Sequence, residues 1–222
     1  MKKLISSLLC TLAIPLSSHA GVYIGAVAGY GSIDWTPEVT FAFPNAFNAD
    51  INLDLANDAF IAAPVIGYEW KWPRFRLGTE FQAFWTELAD ESSDTNAGNT
   101  TMVTFEHEYV WLLRPGYQLF SQTPLVLYLS GGATWAKVNA SSGTQGIQAI
   151  SFNDNVWGYK AGAGLAYNIT PHVVIRGDYL FSQYQSLTNT APQDFGDGTF
   201  IPITAILNTT QSQYLLGLTY QW

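Results

Sequence analysis

Two histidines, His107 and His172, are the first candidates for acid–base chemistry in the body of the chain. A histidine can activate a nucleophile when a serine and an acidic residue lie within hydrogen-bonding reach. Glu108 and Tyr109 follow His107, so no His-x-Ser arrangement is present there. In an extended segment Glu108 also points to the face opposite His107. We therefore predict no catalytic residues.

One acidic stretch has the spacing of a metal-binding loop. "DINLDLAND" (Asp50–Asp58) places carboxylate and amide side chains at alternate positions, as a calcium loop does. However, Leu55 stands where the turn glycine belongs, and Ile61 stands where the terminal glutamate belongs. The single cysteine, Cys10, lies in the N-terminal apolar segment and adds no ligand. We predict neither a metal site nor a cofactor.

Charged side chains fall on one face of segments with period-two alternation. The members of this face are Glu69, Arg76, Glu80, Glu106, Glu108, Arg114, Lys160, Arg176 and Asp178. Their two signs are nearly balanced, and burial of charges is tolerated when they are paired and hydrogen-bonded. The sequence therefore predicts a buried ion-pair network on this face.

The elements that position these charges are predicted to be β-strands, because apolar and polar residues alternate along most of the chain. Eight strands are expected, and they are longer than the usual five or six residues. Their predicted ranges are Val22–Ile33, Ala59–Trp70, Phe75–Glu87, Thr101–Phe120, Leu125–Val138, Asn155–Ile169, Val173–Leu187 and Thr209–Trp222.

The connections between these strands alternate in length. Lys71–Arg74, Ser121–Pro124 and Thr170–His172 are short and contain proline, which tight turns favour. The four other connections are long and polar. This layout predicts an all-β fold, an eight-stranded antiparallel up-and-down transmembrane β-barrel with three short periplasmic turns and four long external loops.

Aromatic residues on the face opposite the charges support this fold. They recur ten positions apart within a strand, which corresponds to a height of about 23–25 Å for a strand tilted by about 40–45°. That height matches the apolar band of a transmembrane barrel, which is bordered by aromatic girdles. The predicted girdle residues are Phe60, Trp70, Phe75, Trp85, Trp157 and Tyr167.

The interior of an eight-stranded barrel is just wide enough to be filled by side chains. Two interpretations of the inward charges stay open. They form a static network that fills the lumen, or they exchange partners around Glu80, Arg114 and Arg176 and gate a narrow channel. A third alternative, transport of small hydrophobic molecules through a lateral opening, depends on Pro64 and Pro115, each of which can interrupt a strand ladder.

The long connections are acidic, in a chain of 222 residues with a formal net charge of -8. This charge argues against a nucleic-acid partner. It is compatible with divalent cations or a basic host protein, and equally with simple solvation of the loops. The apolar cluster "FAFPNAF" (Phe41–Phe47) is either an adhesive surface or the packed core of a structured loop.

Residues 1–20 have the pattern of a cleaved secretory signal peptide. Lys2 and Lys3 precede an apolar stretch that is too short to span a bilayer, and Ser18–Ala20 provides small residues before Gly21. The predicted organisation is therefore a signal peptide at 1–20 and one barrel domain at 21–222.

Three stretches resemble the outer membrane protein A-type and opacity-like surface antigen barrels: "GVYIGAVAGYG" (Gly21–Gly31), "WGYKAGAGLAYNITPHVVIRGDYLF" (Trp157–Phe181) and "YLLGLTYQW" (Tyr214–Trp222). The resemblance implies a non-enzymatic surface protein, structural or adhesive, in the outer membrane of a Gram-negative bacterium.

The resemblance also implies particular partners. These are outer-membrane lipids and lipopolysaccharide, the barrel-assembly machinery during insertion, and a host-surface protein bound by the external loops. The assembly signal would be the alternating terminal row Tyr214, Leu216, Leu218, Tyr220 and Trp222. Some small barrels of this kind modify lipid A, and His107 is the residue that such an enzyme would use here.

Overall fold

The computed structural model describes residues 19–41, 50–52, 55–94, 99–144, 147–194 and 200–222. Their alternating sequence forms ten β-strands in one sheet. The strands are β1 (His19–Phe41), β2 (Asp50–Asn52), β3 (Leu55–Lys71), β4 (Phe75–Asp94), β5 (Asn99–Gln118), β6 (Leu125–Thr144), β7 (Ile147–Asn168), β8 (Val173–Tyr184), β9 (Leu187–Asp194) and β10 (Phe200–Gln221).

The sheet closes on itself as an antiparallel barrel. Neighbours in sequence pair in the order β1–β3–β4–β5–β6–β7–β8–β10, and β10 pairs with β1 from Tyr23 opposite Gln221 to Phe41 opposite Ile203. Because the sheet is closed, each of the eight barrel strands is paired on both sides near the short turns and has no free edge there. The predicted fold class is therefore confirmed.

The two additional strands continue two of the barrel strands. β2 pairs with β1 in the same register as β3, so it extends that strand. β9 extends β8 after a one-residue change of register at Gln185–Ser186, where the Gln185 amide donates to the Trp157 carbonyl over 2.7 Å. A bulge of this kind bends a strand without ending its pairing with the neighbour.

Most of the barrel strands extend farther towards the external connections than the alternation predicts. β4 and β5 stay paired as far as Asp94 opposite Asn99, and β6 and β7 as far as Thr144 opposite Ile147. These extensions were not predicted because their sequence is polar. Two paired strands that face water on both sides need no row of apolar residues. The long external connections are therefore extended hairpins over most of their described length.

The two faces of the barrel wall differ sharply. Inward-facing side chains such as Val27, Phe84 and Leu180 are buried, whereas outward-facing ones such as Leu216 and Trp85 are exposed. Within the described residues no helix has the length and apolarity to cross a bilayer. The predicted signal peptide up to residue 18, the cluster at 42–47 and Asp54 lie outside the described residues, and β1 begins at His19.

Candidate functional site in the barrel interior

Glu80 on β4 lies at the centre of a buried ionic cluster. Arg114 Nη1 on β5 donates to its Oε2 over 2.7 Å, and Arg176 on β8 contacts both carboxylate oxygens, with Nη2 to Oε1 at 2.8 Å. Asp178 accepts from Arg114 Nη2 over 2.5 Å. Arg176 Nε lies 3.2 Å from Asp178 Oδ2 without hydrogen-bond alignment. Two acids and two guanidinium groups thus neutralise one another across the lumen.

Two tyrosines and one glutamine complete this central cluster. Tyr23 donates its hydroxyl to Glu80 Oε2 over 2.7 Å, and Tyr128 donates to Asp178 Oδ1 over 2.7 Å. Gln82 donates its amide to Glu80 Oε1 over 2.6 Å. These hydrogen bonds satisfy carboxylate lone pairs that burial would otherwise leave unpaired.

The tyrosine rings are accommodated by glycines on the adjacent strands. A Cβ at Gly67 would lie 2.2 Å from the Tyr23 ring, and one at Gly164 would lie 2.4 Å from the Tyr128 hydroxyl. Glycine is the residue that permits such a close approach. Two inward glycines therefore fix where the tyrosine donors reach the carboxylates.

A second ionic cluster lies nearer the hairpin end of the barrel. Lys160 on β7 and Glu108 on β5 form a buried ion pair at 2.6 Å. Glu108 also accepts from Thr134 over 2.6 Å and from Tyr184 over 2.8 Å. Gln213 accepts from Lys160 over 2.9 Å and donates to Glu108 over 3.2 Å, so the pair is enclosed by polar neighbours.

An apolar layer covers the second cluster towards the hairpins. Lys160 Nζ lies 5.3 Å from the centre of the Phe84 ring, a cation–π contact. Beyond it, buried inward side chains form one packed group, which includes Ile33, Ile61, Val138, Val156 and Leu207. The lumen is filled by side chains at this level, as expected for eight strands.

A third, partly exposed cluster lies at the short-turn end. Arg76 and Lys71 lie 3.4 Å and 3.7 Å from Glu69 Oε2, and Lys71 donates to Gln221 over 2.6 Å. Burial lowers the pKa of Lys71, and the facing Glu69 carboxylate opposes that shift. A cavity of ≈ 50 Å³ separates this cluster from Arg114 and holds a few water molecules at most.

Glu106 does not join the interior charges, and its predicted inward orientation is wrong. The register of β5 against β6 shifts between Phe105 and His107, so Glu106 is the extra residue of a bulge. Its exposed carboxylate accepts from Lys137 and Asn139, each over 2.6 Å, on the outer surface. The bulge breaks the simple alternation on which the prediction depended.

The two histidines lie at opposite ends of the barrel. His107 lies on the outer face with its ring 5.3 Å from that of Tyr109, while Glu108 points inward to Lys160. His172, in the last short turn, has Nδ1 2.9 Å from the Gln221 carbonyl. Within the described part of the chain, no group of three His, Cys, Asp or Glu side chains could hold a metal ion.

The outward face carries the predicted aromatic and terminal residues. Phe60, Trp85 and Trp157 are exposed towards the hairpin end, and Phe75 and Tyr167 towards the short turns, where Trp70 is half-buried and packs edge-on against Tyr68. The exposed residues of the terminal row are Tyr214, Leu216, Leu218, Tyr220 and Trp222. Such a surface is stable only when hydrocarbon surrounds it.

A closed eight-stranded barrel with an apolar outer face and an ion-paired interior defines a small transmembrane β-barrel. The chain belongs to the family described as outer membrane protein beta-barrel domain, which matches residues 4–221. It is a protein of the outer membrane of a Gram-negative bacterium, and the resemblance inferred from its sequence to small outer-membrane barrels is confirmed.

Individual relatives are distant. The chain is 24% identical over 176 residues to a 22 kDa outer membrane protein of Rhizobium leguminosarum bv. viciae, covering 78% of this chain and 67% of the relative. OprG of Pseudomonas aeruginosa matches with a TM-score of 0.50 and 9% identity, covering 91% and 96% of the two chains. Ail of Yersinia pestis matches with a TM-score of 0.38 and 14% identity, covering 89% and 99%. At such identities the likeness to OprG shows the fold alone.

Several interior residues were not predicted from the sequence, although their inward parity could have identified them. These are uncharged polar side chains with inward parity, and they supply the hydrogen bonds between the charged groups: Tyr23, Gln82, Tyr128, Thr134, Tyr184 and Gln213. They would have been identified if all polar residues with inward parity, and not only the charged ones, had been assigned to the interior network.

Proposed function

We propose that this chain is a non-enzymatic surface protein, an antigen or adhesin, whose external hairpins bind a partner outside the cell. The observation that supports this most strongly is the length of those hairpins. β4 remains paired with β5 up to Asp94, nine positions beyond Trp85 at the outer aromatic level. Nine residues add about 30 Å of strand, whereas the membrane span itself needs only about 9–11 residues.

The interior supports a structural rather than a catalytic role. Its buried carboxylates, Glu80, Glu108 and Asp178, are all held by cations and hydroxyl groups. A general base needs a free, positioned acceptor near a substrate pocket. His107, the residue that a lipid A-modifying enzyme would use, packs against Tyr109 on the outer face. We infer that the ionic clusters fill the lumen and hold opposite walls together.

The remaining partners in this proposal bind three parts of the outer surface. Lipids and lipopolysaccharide contact the aromatic girdles, and the assembly machinery reads the terminal row during insertion. A host-surface protein binds the external hairpins, whose acidic sequence favours a basic partner and disfavours nucleic acid.

Shortening one hairpin tests the proposal. In one form, residues 88–105 of the β4–β5 hairpin are replaced by a two-residue turn, and in a second form residues 139–153 of the β6–β7 hairpin are replaced in the same way. Bacteria that lack adhesins of their own express each form, and attachment to cultured animal cells is counted at equal surface abundance.

We expect the parent chain to raise attachment and at least one shortened form to abolish it. Heat-modifiable gel migration should show that each barrel still folds. Attachment by the parent no greater than that of cells without the protein would contradict the adhesive role.

A further inference from the structure

Two cations face each other at the short-turn end of the barrel. Lys71 on β3 and Arg76 on β4 lie directly opposite in the ladder, and both contact Glu69. Like charges at directly opposite positions destabilise a strand pair. Within the described part of the chain, Glu69 is the only acid within ion-pair distance of either cation. This cluster therefore carries one positive charge that no carboxylate balances.

The shared carboxylate holds these cations loosely. Arg76 Nη1 and Lys71 Nζ lie 3.4 Å and 3.7 Å from Glu69 Oε2. Arg114, in the central cluster, contacts its two acids at 2.7 Å and 2.5 Å. Charge-assisted hydrogen bonds are normally about 2.7–2.9 Å long. A guanidinium group has several N–H donors, and among the described residues Arg76 uses Nη1 alone, so donors remain for a further acceptor.

Small residues provide space beside these donors. In the β4–β5 ladder Arg76 is opposite Gly116, and Arg114 is opposite Gly78. Arginine and glycine therefore lie diagonally on the inward face of these two strands, and all four residues line the cavity of ≈ 50 Å³. An arginine that faces a glycine has no opposing side chain in its way, so both guanidinium groups reach this space.

The surroundings of the cavity are positive. Arg176, which is opposite the small Ala166 on β7, is a third arginine that lines it. Among the described residues Glu69 is the only acid in the lining, because the acids that neutralise Arg114 and Arg176 lie on the far side, in the central cluster.

The cavity can be reached from the short-turn side only. The side chains of Lys71 and Glu69, at its mouth, are 27% and 22% exposed. On the opposite side the central cluster around Glu80 is buried and closes the lumen. A solute in the cavity therefore comes from the periplasm.

We propose that this cavity is a binding site for one small monovalent anion of the size of chloride, which accepts hydrogen bonds from Arg76 and Arg114. Its single negative charge balances the excess charge of Lys71, Arg76 and Glu69. The space for a few water molecules accommodates such an ion together with a water molecule. The bound anion relieves the repulsion between Lys71 and Arg76 and strengthens the short-turn end of the barrel.

Bromide locates the site directly. Protein purified from outer membranes is crystallised in sodium bromide, and anomalous diffraction at the bromine absorption edge shows the bound ions. We expect a peak within hydrogen-bonding distance of the Arg76 and Arg114 guanidinium groups. Arg76→Gln should remove the peak, whereas Arg74→Gln, in the exposed turn outside the cavity, should keep it. The absence of a peak in the parent protein, or a peak that Arg76→Gln leaves unchanged, would overturn the proposal.

Anion-dependent unfolding measures the effect of binding in lipid vesicles. Urea unfolding is followed in sodium chloride and in sodium gluconate at equal ionic strength, because gluconate is too large for the cavity. Binding to the folded state multiplies the folded-to-unfolded ratio by 1 + [L]/Kd, about threefold when chloride is at twice its dissociation constant. We expect chloride to raise this ratio in the parent and in Arg74→Gln, and to leave it unchanged in Arg76→Gln. Equal ratios in the two salts for the parent would contradict the anion site.

Gly78→Ala tests the space while it keeps every charge. The added Cβ would lie 3.5 Å from Arg114 Cβ and 3.7 Å from the Arg114 carbonyl oxygen, which are ordinary contacts, so the barrel should fold normally. Because Gly78 lines the cavity, the methyl group narrows it and should weaken chloride binding severalfold. An undiminished chloride effect in Gly78→Ala would show that the ion binds elsewhere and would overturn the proposal.

Discussion

Arg176 and Glu80 form a two-point ion pair across the lumen, although 96 positions separate them in the chain. They belong to β8 and β4, which are not neighbours in the barrel wall. The pair therefore ties opposite walls together and occupies the axis that an open pore would need. Arg114, which contacts the same carboxylate, extends this tie to β5.

Glu80→Gln should destabilise the barrel strongly. The substitution removes one charge and leaves the buried Arg114 and Arg176 with Asp178 as their remaining acid. Breaking a buried ion pair at one side costs about 3–5 kcal/mol. Urea unfolding in lipid vesicles, followed by tryptophan fluorescence, measures the change. Glu106→Gln is the control, since its exposed pair with Lys137 should contribute little; similar losses for both variants would contradict the central role of Glu80.

The Lys160–Glu108 pair should show strong coupling in a double-mutant cycle. Lys160→Met leaves a buried carboxylate without its cation, and we expect a loss of about 3–5 kcal/mol in the free energy of unfolding. Adding Glu108→Gln removes the uncompensated charge and should restore most of that loss. The same urea titration gives all four corners of the cycle. Additive losses would show that the two side chains do not depend on each other.

Gly164→Ala should weaken the barrel by displacing Tyr128 from Asp178. The new Cβ would lie 2.4 Å from the Tyr128 hydroxyl and 2.6 Å from the Gly177 carbonyl oxygen, and overpacking of this kind costs about 1–3 kcal/mol. Gly131→Ala is the matched control on β6, because nothing lies within 4 Å of its added Cβ. We expect the Gly131→Ala control to have the same urea midpoint of unfolding as the parent protein. Equal midpoints for the two alanine variants would contradict the packing argument.

Removing Trp222 should impair insertion more than removing another exposed aromatic residue. Its amide donates to the Val22 carbonyl over 3.2 Å, so it takes part in the junction between the last and first strands. Trp157→Ala is the control, since it loses an equally exposed indole away from that junction. The folded, heat-modifiable fraction in outer membranes of expressing cells measures insertion. Equal fractions for the two variants would contradict an assembly role for the terminal residue.

Much of the barrel could be predicted, because the alternation of apolar and polar residues along a membrane strand indicates which side chains face lipid and which face the lumen. Residues such as Arg176 and Asp178 share a parity, and this was enough to assign them to the interior. Their ion-pair partners could not be predicted, because the pairing of Glu80 with Arg176 depends on the register of every strand between β4 and β8. A single bulge at Glu106 was sufficient to reverse one orientation.

Strand ends were predicted less well than strand faces. Asp94 and Asn99 are paired in a hairpin, yet their polar surroundings resemble a loop in sequence. Pro64 did signal an interrupted ladder, but the sequence could not tell that β3 and β4 would stay apart beyond it while β5 and β6 rejoin after Pro115. That difference is set by the paths of whole strands rather than by the proline.

The display of the hairpins outside the cell is tested most directly by cysteine labelling of intact bacteria. The chain from Gly21 onwards contains no cysteine, so single cysteines can be introduced without background. Asn96→Cys lies between β4 and β5, and Gln122→Cys lies in the short turn between β5 and β6. With a membrane-impermeant maleimide, we predict that Asn96→Cys is labelled on intact cells and Gln122→Cys only after the outer membrane is permeabilised. Labelling of Gln122→Cys but not Asn96→Cys on intact cells would contradict the proposed function.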